Sequence, residues 1–166
     1  MKRRKVVWFS CGVTSAVAAK IAVESHCDGD GEIVVVYCDT GSEHSDSKRF
    51  LRDCGEWLGV KIETIRSKKF PDIWEVFERT GWLVGPSGAR CTTEMKKIPR
   101  KAFQQADDIQ IFGMDVGEIP RADRLRATEF EVDSRFPLIE AGISKRECVD
   151  IISSVGIRIP AMYLMG

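Results

Sequence analysis

The chain has no excess of either charge sign. Its 25 basic and 25 acidic side chains cancel, which removes the argument for a general electrostatic grip on nucleic acid or on a membrane surface. No apolar run approaches the length of a membrane-spanning helix. The basic start, Lys2-Arg3-Arg4-Lys5, is too short, and turns too quickly into apolar sequence, to serve as a secretion signal. The two histidines, His26 and His44, are not spaced as a metal-binding pair. Cysteine is present but unpatterned: positions 11, 27, 38, 54, 91 and 148 contain no CxxC and no tight repeat. Without a secretory signal, free thiols in a reducing cytoplasm are expected rather than a disulfide framework. Internal repeats and low-complexity linkers are also missing, so the 166 residues are expected to form a single domain, 1–166, around one core.

What is there is a regular alternation of strand and helix. Residues 4–10 are an apolar run expected as a buried strand, and 14–26 a helix with Val17, Ala18 and Ile21 inward. A second apolar strand is expected over 32–38, covered on both faces as in parallel sheets. The segment 45–58 has helical spacing of Phe50, Leu51, Cys54, Trp57 and Leu58, with Ser45 as N-cap and Gly59 as stop. Residues 60–65 alternate as a third strand, and Pro71 opens a helix through about Arg79. A loop is expected over 81–88, then a helix from Thr92 or Thr93 to about Gln105, interrupted or restarted at Pro99. A fourth strand covers 108–113, a polar stretch 115–126, and a short strand is expected at Phe136–Ile139. Ser144 caps a last helix that ends before Gly156. This pattern predicts an α/β fold of three layers, a mainly parallel sheet with helices on both faces. Ligands in such sheets sit at the carboxyl ends of strands, where the chain carries the polar turns 10–15, 39–42 and 113–126. Ser10, Gly12, Thr14 and Ser15 bring hydroxyls and a compact backbone to a helix start, a setting that suits a phosphate.

Four segments, in order, resemble the phosphoadenosine phosphosulfate reductase family of the PP-loop (adenine nucleotide α-hydrolase-like) superfamily, especially its short phage and bacterial members. Ser10-Cys11-Gly12-Val13-Thr14-Ser15 is similar to the family's Ser-Gly-Gly-x-Asp-Ser loop, and Tyr37-Cys38-Asp39-Thr40-Gly41 to its Asp-Thr-Gly turn. Gly88-Ala89-Arg90-Cys91 with Lys96-Lys97-Ile98-Pro99 resembles the Cys, Lys and Pro segment. Gly113-Met114-Asp115 through Arg121 and Arg124, then Phe136-Pro137-Leu138-Ile139, resembles the Gly…Arg…Pro-Leu segment. Two positions depart from the pattern. Cys11 stands in place of a loop glycine, which narrows the permitted backbone angles. Thr14 stands in place of an aspartate that, in relatives releasing pyrophosphate from ATP, helps to hold magnesium.

The resemblance implies an adenine-nucleotide site, for phosphoadenosine phosphosulfate or ATP, made by Ser10, Cys11, Gly12, Thr14, Ser15, Asp39, Thr40, Gly41, Gly113, Arg121 and Arg124. It makes Cys91 the one motif-matched candidate for sulfur chemistry, with a half-buried structural cysteine as the alternative. Nearby cations and a helix start would favour its thiolate. Magnesium is a candidate cofactor. An iron–sulfur cluster, which generally takes four thiolates, is expected only with a C-terminal cysteine-containing segment, the point where relatives continue beyond Ile159–Gly166. A thiol reductant such as thioredoxin is the implied electron donor, and a homodimer the candidate assembly, through the aromatic segment 70–84. Cys27, Cys38, Cys54 and Cys148 are expected in core packing, and Trp57, Trp74, Phe77 and Trp82 in core or interface. Three functions stay open at this point: thiol-dependent reduction of a sulfonucleotide to sulfite; ATP-dependent adenylylation of a nucleic-acid base for thiolation or amination; and nucleotide binding without catalysis.

Overall fold

The computed structural model describes residues 3–27, 29–85 and 88–164. In chain order the elements are β1 (Lys5–Phe9), α1 (Val13–Glu24), β2 (Ile33–Asp39), α2 (Asp46–Leu58), β3 (Ile62–Arg66), α3 (Ile73–Thr80), the two-residue strands β4 (Val84–Gly85) and β5 (Gly88–Ala89), and α4 (Arg90–Thr92). A π-helical turn (Thr93–Lys97) joins α4 to α5 (Ile98–Phe103), and β6 (Ile109–Phe112) follows. A 3₁₀ turn (Val116–Glu118) leads into α6 (Ile119–Thr128), then β7 (Asp133–Arg135), α7 (Pro137–Glu140), α8 (Lys145–Ser154) and a second 3₁₀ turn (Ala161–Leu164).

The main sheet has five strands in the order β3-β2-β1-β6-β7, every neighbouring pair parallel. Because side chains alternate across a strand, the sheet carries two cores. Val7, Phe9, Val35, Tyr37 and Ile111 face α1, α2 and α8, with Phe50, Cys54, Leu138 and Ile152 completing that layer. Val6, Trp8, Val34, Val36 and Phe112 face the other way, onto Met114, Ala122, Phe136, Phe103 and Leu125. The three-layer α/β architecture with a parallel sheet is therefore as expected from sequence. A polar chain threads the second face: the buried Gln110 accepts from the Trp8 indole at 2.5 Å and donates to Asp108, which a bidentate Arg4 holds at 2.7 and 2.9 Å.

Several local expectations are corrected. The polar stretch after the fourth strand is helical, because Pro120 sits in the first turn of α6, where a missing N–H costs nothing. The strand expected at Phe136–Ile139 lies three residues earlier, at β7, and Pro137 starts a helical turn instead. Asp72, not Pro71, opens α3, its carboxylate accepting from Glu75 N at 2.9 Å. Ser45 stands at the start of α2 without a capping bond; the His44 ring accepts from Asp46 N at 3.1 Å. Part of the loop 81–88 is the two-stranded β4–β5 ladder. Cys27 is exposed rather than packed, and of the tryptophans expected in core or interface, Trp74 and Trp82 are 66% and 48% exposed and so lie outside the core.

The helix of residues 90–103 runs through Pro99 instead of breaking. Pro99 has no N–H to give, and its ring would press on the carbonyl four residues back in a regular α-helix. The preceding turn is widened into a π-turn, with Ile98 N bonded to Thr93 O.

Candidate functional site

The strand order sets the location. From β1 the chain moves to β2 and β3 on one side, then crosses to β6 on the other, so the strand order reverses between β1 and β6, and ligands in such sheets sit at the carboxyl ends of the strands there. A groove of about 740 Å³ lies at this point. Its floor is apolar: Trp8, Val36, Cys38, Phe112 and Met114 from the sheet, with Leu125 from α6. Its walls are cationic, with Lys96, Lys97 and Lys101 from the π-turn and α5 together with Arg121 and Arg124 of α6, and Ser10 lies at the mouth. Lys96 approaches Glu43 at 3.8 Å, and Arg121 pairs with Glu118 at 2.6 Å. Among the described residues no carboxylate lies within 4.0 Å of Lys97, Lys101 or Arg124. Glu129, the carboxylate on the groove wall, is bound through both oxygens by Arg100 at 2.5 and 2.7 Å. The groove thus offers a flat apolar surface and unneutralised cations to a ligand that is part aromatic and part anionic.

The turn Ser10–Ser15 is tightly built. Ser15 is buried, and its hydroxyl oxygen accepts from Ser10 N at 3.0 Å and Gly12 N at 3.3 Å while donating to Gly12 O at 2.9 Å. Its role is to shape the loop. Cys11 has φ of 57°, the described non-glycine residue in the left-handed region, a conformation that costs a residue with a Cβ about 1–2 kcal/mol. Its side chain goes into the first core, 2% exposed, with Sγ 3.8 Å from Ser47 O. Burial, then the nearby Glu43 carboxylate, push this thiol up to about 12. Cys11 is therefore a core thiol and does not line the groove. Thr14 is half-buried in the first turn of α1. The amide of Val13, at the start of that helix, is occupied: it donates to the Tyr163 hydroxyl at 3.2 Å.

Gly113 supplies a close approach. A Cβ there would stand 2.5 Å from Ser15 Cα and 2.7 Å from Ser15 N, so the end of β6 lies against the first turn of α1 only because residue 113 has no side chain. Asp39, Thr40 and Gly41 follow Cys38 out of the groove floor and do not line the groove; the Asp39 and Thr40 side chains are engaged elsewhere. The Asp39 carboxylate accepts from Gly41 N at 2.8 Å and from Arg66 Nε at 2.9 Å. Burial pushes its pKa up, but the Gly41 amide and the Arg66 guanidinium outweigh it and hold the carboxyl below the usual range. Thr40 is buried and donates to Glu43 at 3.1 Å. Gly41 has φ of 68°, and a Cβ there would collide with the Pro71 carbonyl oxygen.

Cys91 stands one residue before Thr92, which lines the groove, but packs with Phe70, Val76 and Met95 in a separate small cluster. The structure thus brings Ser10, Arg121 and Arg124 together, places Gly113 and Ser15 as the frame beneath, and leaves Asp39 and Cys91 beside the groove. Sequence reading missed the floor and Lys101, and took Lys96 and Lys97 as part of the Cys91 segment and not as groove cations. The signal was available in the strand alternation: Trp8, Val36, Cys38 and Phe112 share one face and one end of the sheet. Among the described residues no group of three or more His, Cys, Asp or Glu is placed to hold a metal, and the cysteines do not gather as cluster ligands. No helix among them is long and apolar enough to cross a membrane.

No protein-family model matches the sequence, and no curated protein matches it. The fold matches solved structures. The phosphate complex of phosphoadenylyl-sulfate reductase from Candida auris superposes with a TM-score of 0.66 at 11% identity, covering 98% of this chain and 77% of that one. The U34-tRNA thiolase NcsA from Methanococcus maripaludis, with its 4Fe–4S cluster, gives 0.63 at 15% identity, covering 95% of this chain and 59% of that one. The chain therefore shares its α/β fold with that phosphoadenylyl-sulfate reductase and with that tRNA thiolase.

Proposed function

We propose that this chain binds an adenine nucleotide in the groove between α5 and α6 and acts in sulfonucleotide chemistry of the kind catalysed by phosphoadenosine phosphosulfate reductases. The observation that carries the reading is the pairing of an apolar floor (Trp8, Val36, Phe112) with the unneutralised cations Lys97, Lys101 and Arg124. The base and ribose lie on the floor, near the backbone of Asp39–Gly41. The phosphate and sulfate oxygens lie between the Ser10–Ser15 loop and Arg121 and Arg124. A sulfonucleotide fits better than magnesium–ATP, because Thr14 brings no charge and the wall carboxylate Glu129 is committed to Arg100.

In the reduction, a thiolate attacks the sulfur of the sulfonucleotide, an S–S bond forms, and the S–O bond to phosphate breaks with its electron pair leaving on the nucleotide. A second thiolate, from a reductant such as thioredoxin, then attacks the protein sulfur, forms a disulfide and expels sulfite. The residues of this chain would hold the anions and exclude water from the base. Cys91 is the candidate thiol, and to act it must leave its contacts with Phe70, Val76 and Met95.

Calorimetry with adenosine 3′,5′-bisphosphate, AMP and ATP tests the binding. Preference for the bisphosphate supports the reading; absence of binding by all three removes it. Thiol-dependent sulfite release in the wild type that is lost in Cys91→Ser places that thiol in the reaction, and unchanged release excludes it. The thiolase-like fold match keeps one rival in view, and ATP-dependent pyrophosphate release with an RNA acceptor would favour it.

A further inference from the structure

The amide that opens α1 is already occupied by a residue 150 positions away: Val13 N donates to Tyr163 Oη at 3.2 Å. The same oxygen stands 3.1 Å from where a Cβ on Gly12 would be, with Ser10 Oγ 3.8 Å from that point. The hydroxyl therefore lies over the Ser10–Ser15 turn at the spot where its backbone leaves room. The tyrosine ring is seated from both sides, packed against the first core and under Lys145 Nζ at 4.8 Å from its centroid. The segment leading to it is tethered to α2. Asp46 accepts from Ala161 N at 2.8 Å and pairs with Arg158 at 3.4 Å, while Arg49 reaches Ile159 O at 3.4 Å. Pro160 is buried, and Tyr163 N bonds back to Pro160 O at 3.0 Å, closing a tight turn.

We propose that residues 158–163 form a strap that closes over the Ser10–Ser15 turn, with the Tyr163 hydroxyl holding the place of a phosphate or sulfate oxygen at the Val13 amide. This rests on the reading of the Ser10–Ser15 turn as the anion site. A neutral phenol oxygen is a modest acceptor, whereas an anionic oxygen on the same amide forms a bond about twice as strong. Entry of the anion therefore favours release of the tyrosine, and the difference between the two acceptors drives the exchange. The Asp46 tether holds the strap at Arg158 and Ala161, so only the chain after Ala161, with Tyr163, has to swing.

Tyr163→Phe keeps the ring and its seat under Lys145 and removes only the competing oxygen. The test is calorimetry of wild type and variant with inorganic pyrophosphate and with adenosine 3′,5′-bisphosphate, alongside the Val13 amide resonance. The expected result is tighter binding of both anions by the variant, on the order of three- to tenfold, the equivalent of one neutral hydrogen bond. The Val13 amide should shift on substitution, and shift again when the anion binds. Tighter pyrophosphate binding without preference for the bisphosphate supports the strap and removes the adenine reading. Equal, weaker or undetectable binding of both anions by the variant overturns the strap. So does a wild-type complex in which Val13 N keeps Tyr163 as its partner.

Discussion

Gly113 lies directly against the backbone of Ser15: a side chain at 113 would place its first carbon 2.5 Å from Ser15 Cα. The contact joins the end of β6 to the first turn of α1 at the switch point of the sheet. Gly113→Ala must push α1 away from the sheet or twist the Ser10–Ser15 turn. We expect a loss of about 1–3 kcal/mol, read from the denaturant midpoint, with nucleotide affinity reduced more than in variants of similar stability elsewhere.

Lys97 and Arg124 both line the groove without a carboxylate partner among the described residues. Each should bind ligand oxygens through charge-assisted bonds. Lys97→Ala and Arg124→Ala should each weaken binding of adenosine 3′,5′-bisphosphate by about tenfold or more and lower its dependence on salt concentration. Stability should change little. An unchanged affinity in both variants would place the anion elsewhere.

The thiols should separate by reactivity. Cys27 is exposed, whereas Cys11, Cys54 and Cys148 are buried, with burial the first cause of thiols pushed up to about 12, 12 and 11. At pH 8 a maleimide or iodoacetamide pulse read by peptide mass spectrometry should label Cys27 first. Cys11, Cys54 and Cys148 should label only on unfolding. Early labelling of Cys11 would show that the loop opens without unfolding.

Asp108 is 3% exposed and sits at the far end of the sheet from the groove, held by Arg4 and by Gln105 N at 2.7 Å. Burial raises its pKa, but the Arg4 hydrogen bonds and the Gln105 amide outweigh that effect and lower it below the ordinary carboxylate value. A carboxylate with a depressed folded pKa stabilises the fold above the unfolded value, about 3.9, and the gain is lost as pH falls through the folded value. Melting temperature should thus decline as pH drops from about 5 to 2. Asp108→Asn should be less stable at neutral pH and show a shallower acid limb. A parallel acid limb in the variant would assign the decline to other carboxylates.

The layers of the fold were legible because parallel strands buried on both faces read as unbroken apolar runs. Ile33–Tyr37 is such a run, and α8 carries the spacing and the Ser144 cap of an ordinary helix. Elements whose identity depends on what covers them were harder to read. α6 is polar enough to pass for a loop, since only Ala122 is fully buried, and Pro120 gave the missing signal of a helix start. β7 is three residues of polar sequence, Asp133-Ser134-Arg135, that become a strand by pairing with β6. The aromatic stretch 70–84 did not divide into core and surface by spacing, and Trp74 and Trp82 came out exposed.

The sequence by itself determined the alternation of elements, and with it the parallel sheet and the polar turns at strand ends, because periodicity and caps are local. It also determined that Ser10–Ser15 meets a helix start and that Arg121 and Arg124 follow the fourth strand. Tertiary structure decided which of those groups share a space. The side chains of Asp39 and Cys91 turn toward Arg66 and Phe70, while Lys97 and Lys101 line the groove. The contact between Tyr163 and Val13 had no sequence signal, since no local rule links residues 150 positions apart. Distances across the chain are set by how layers pack, and packing belongs to the whole fold.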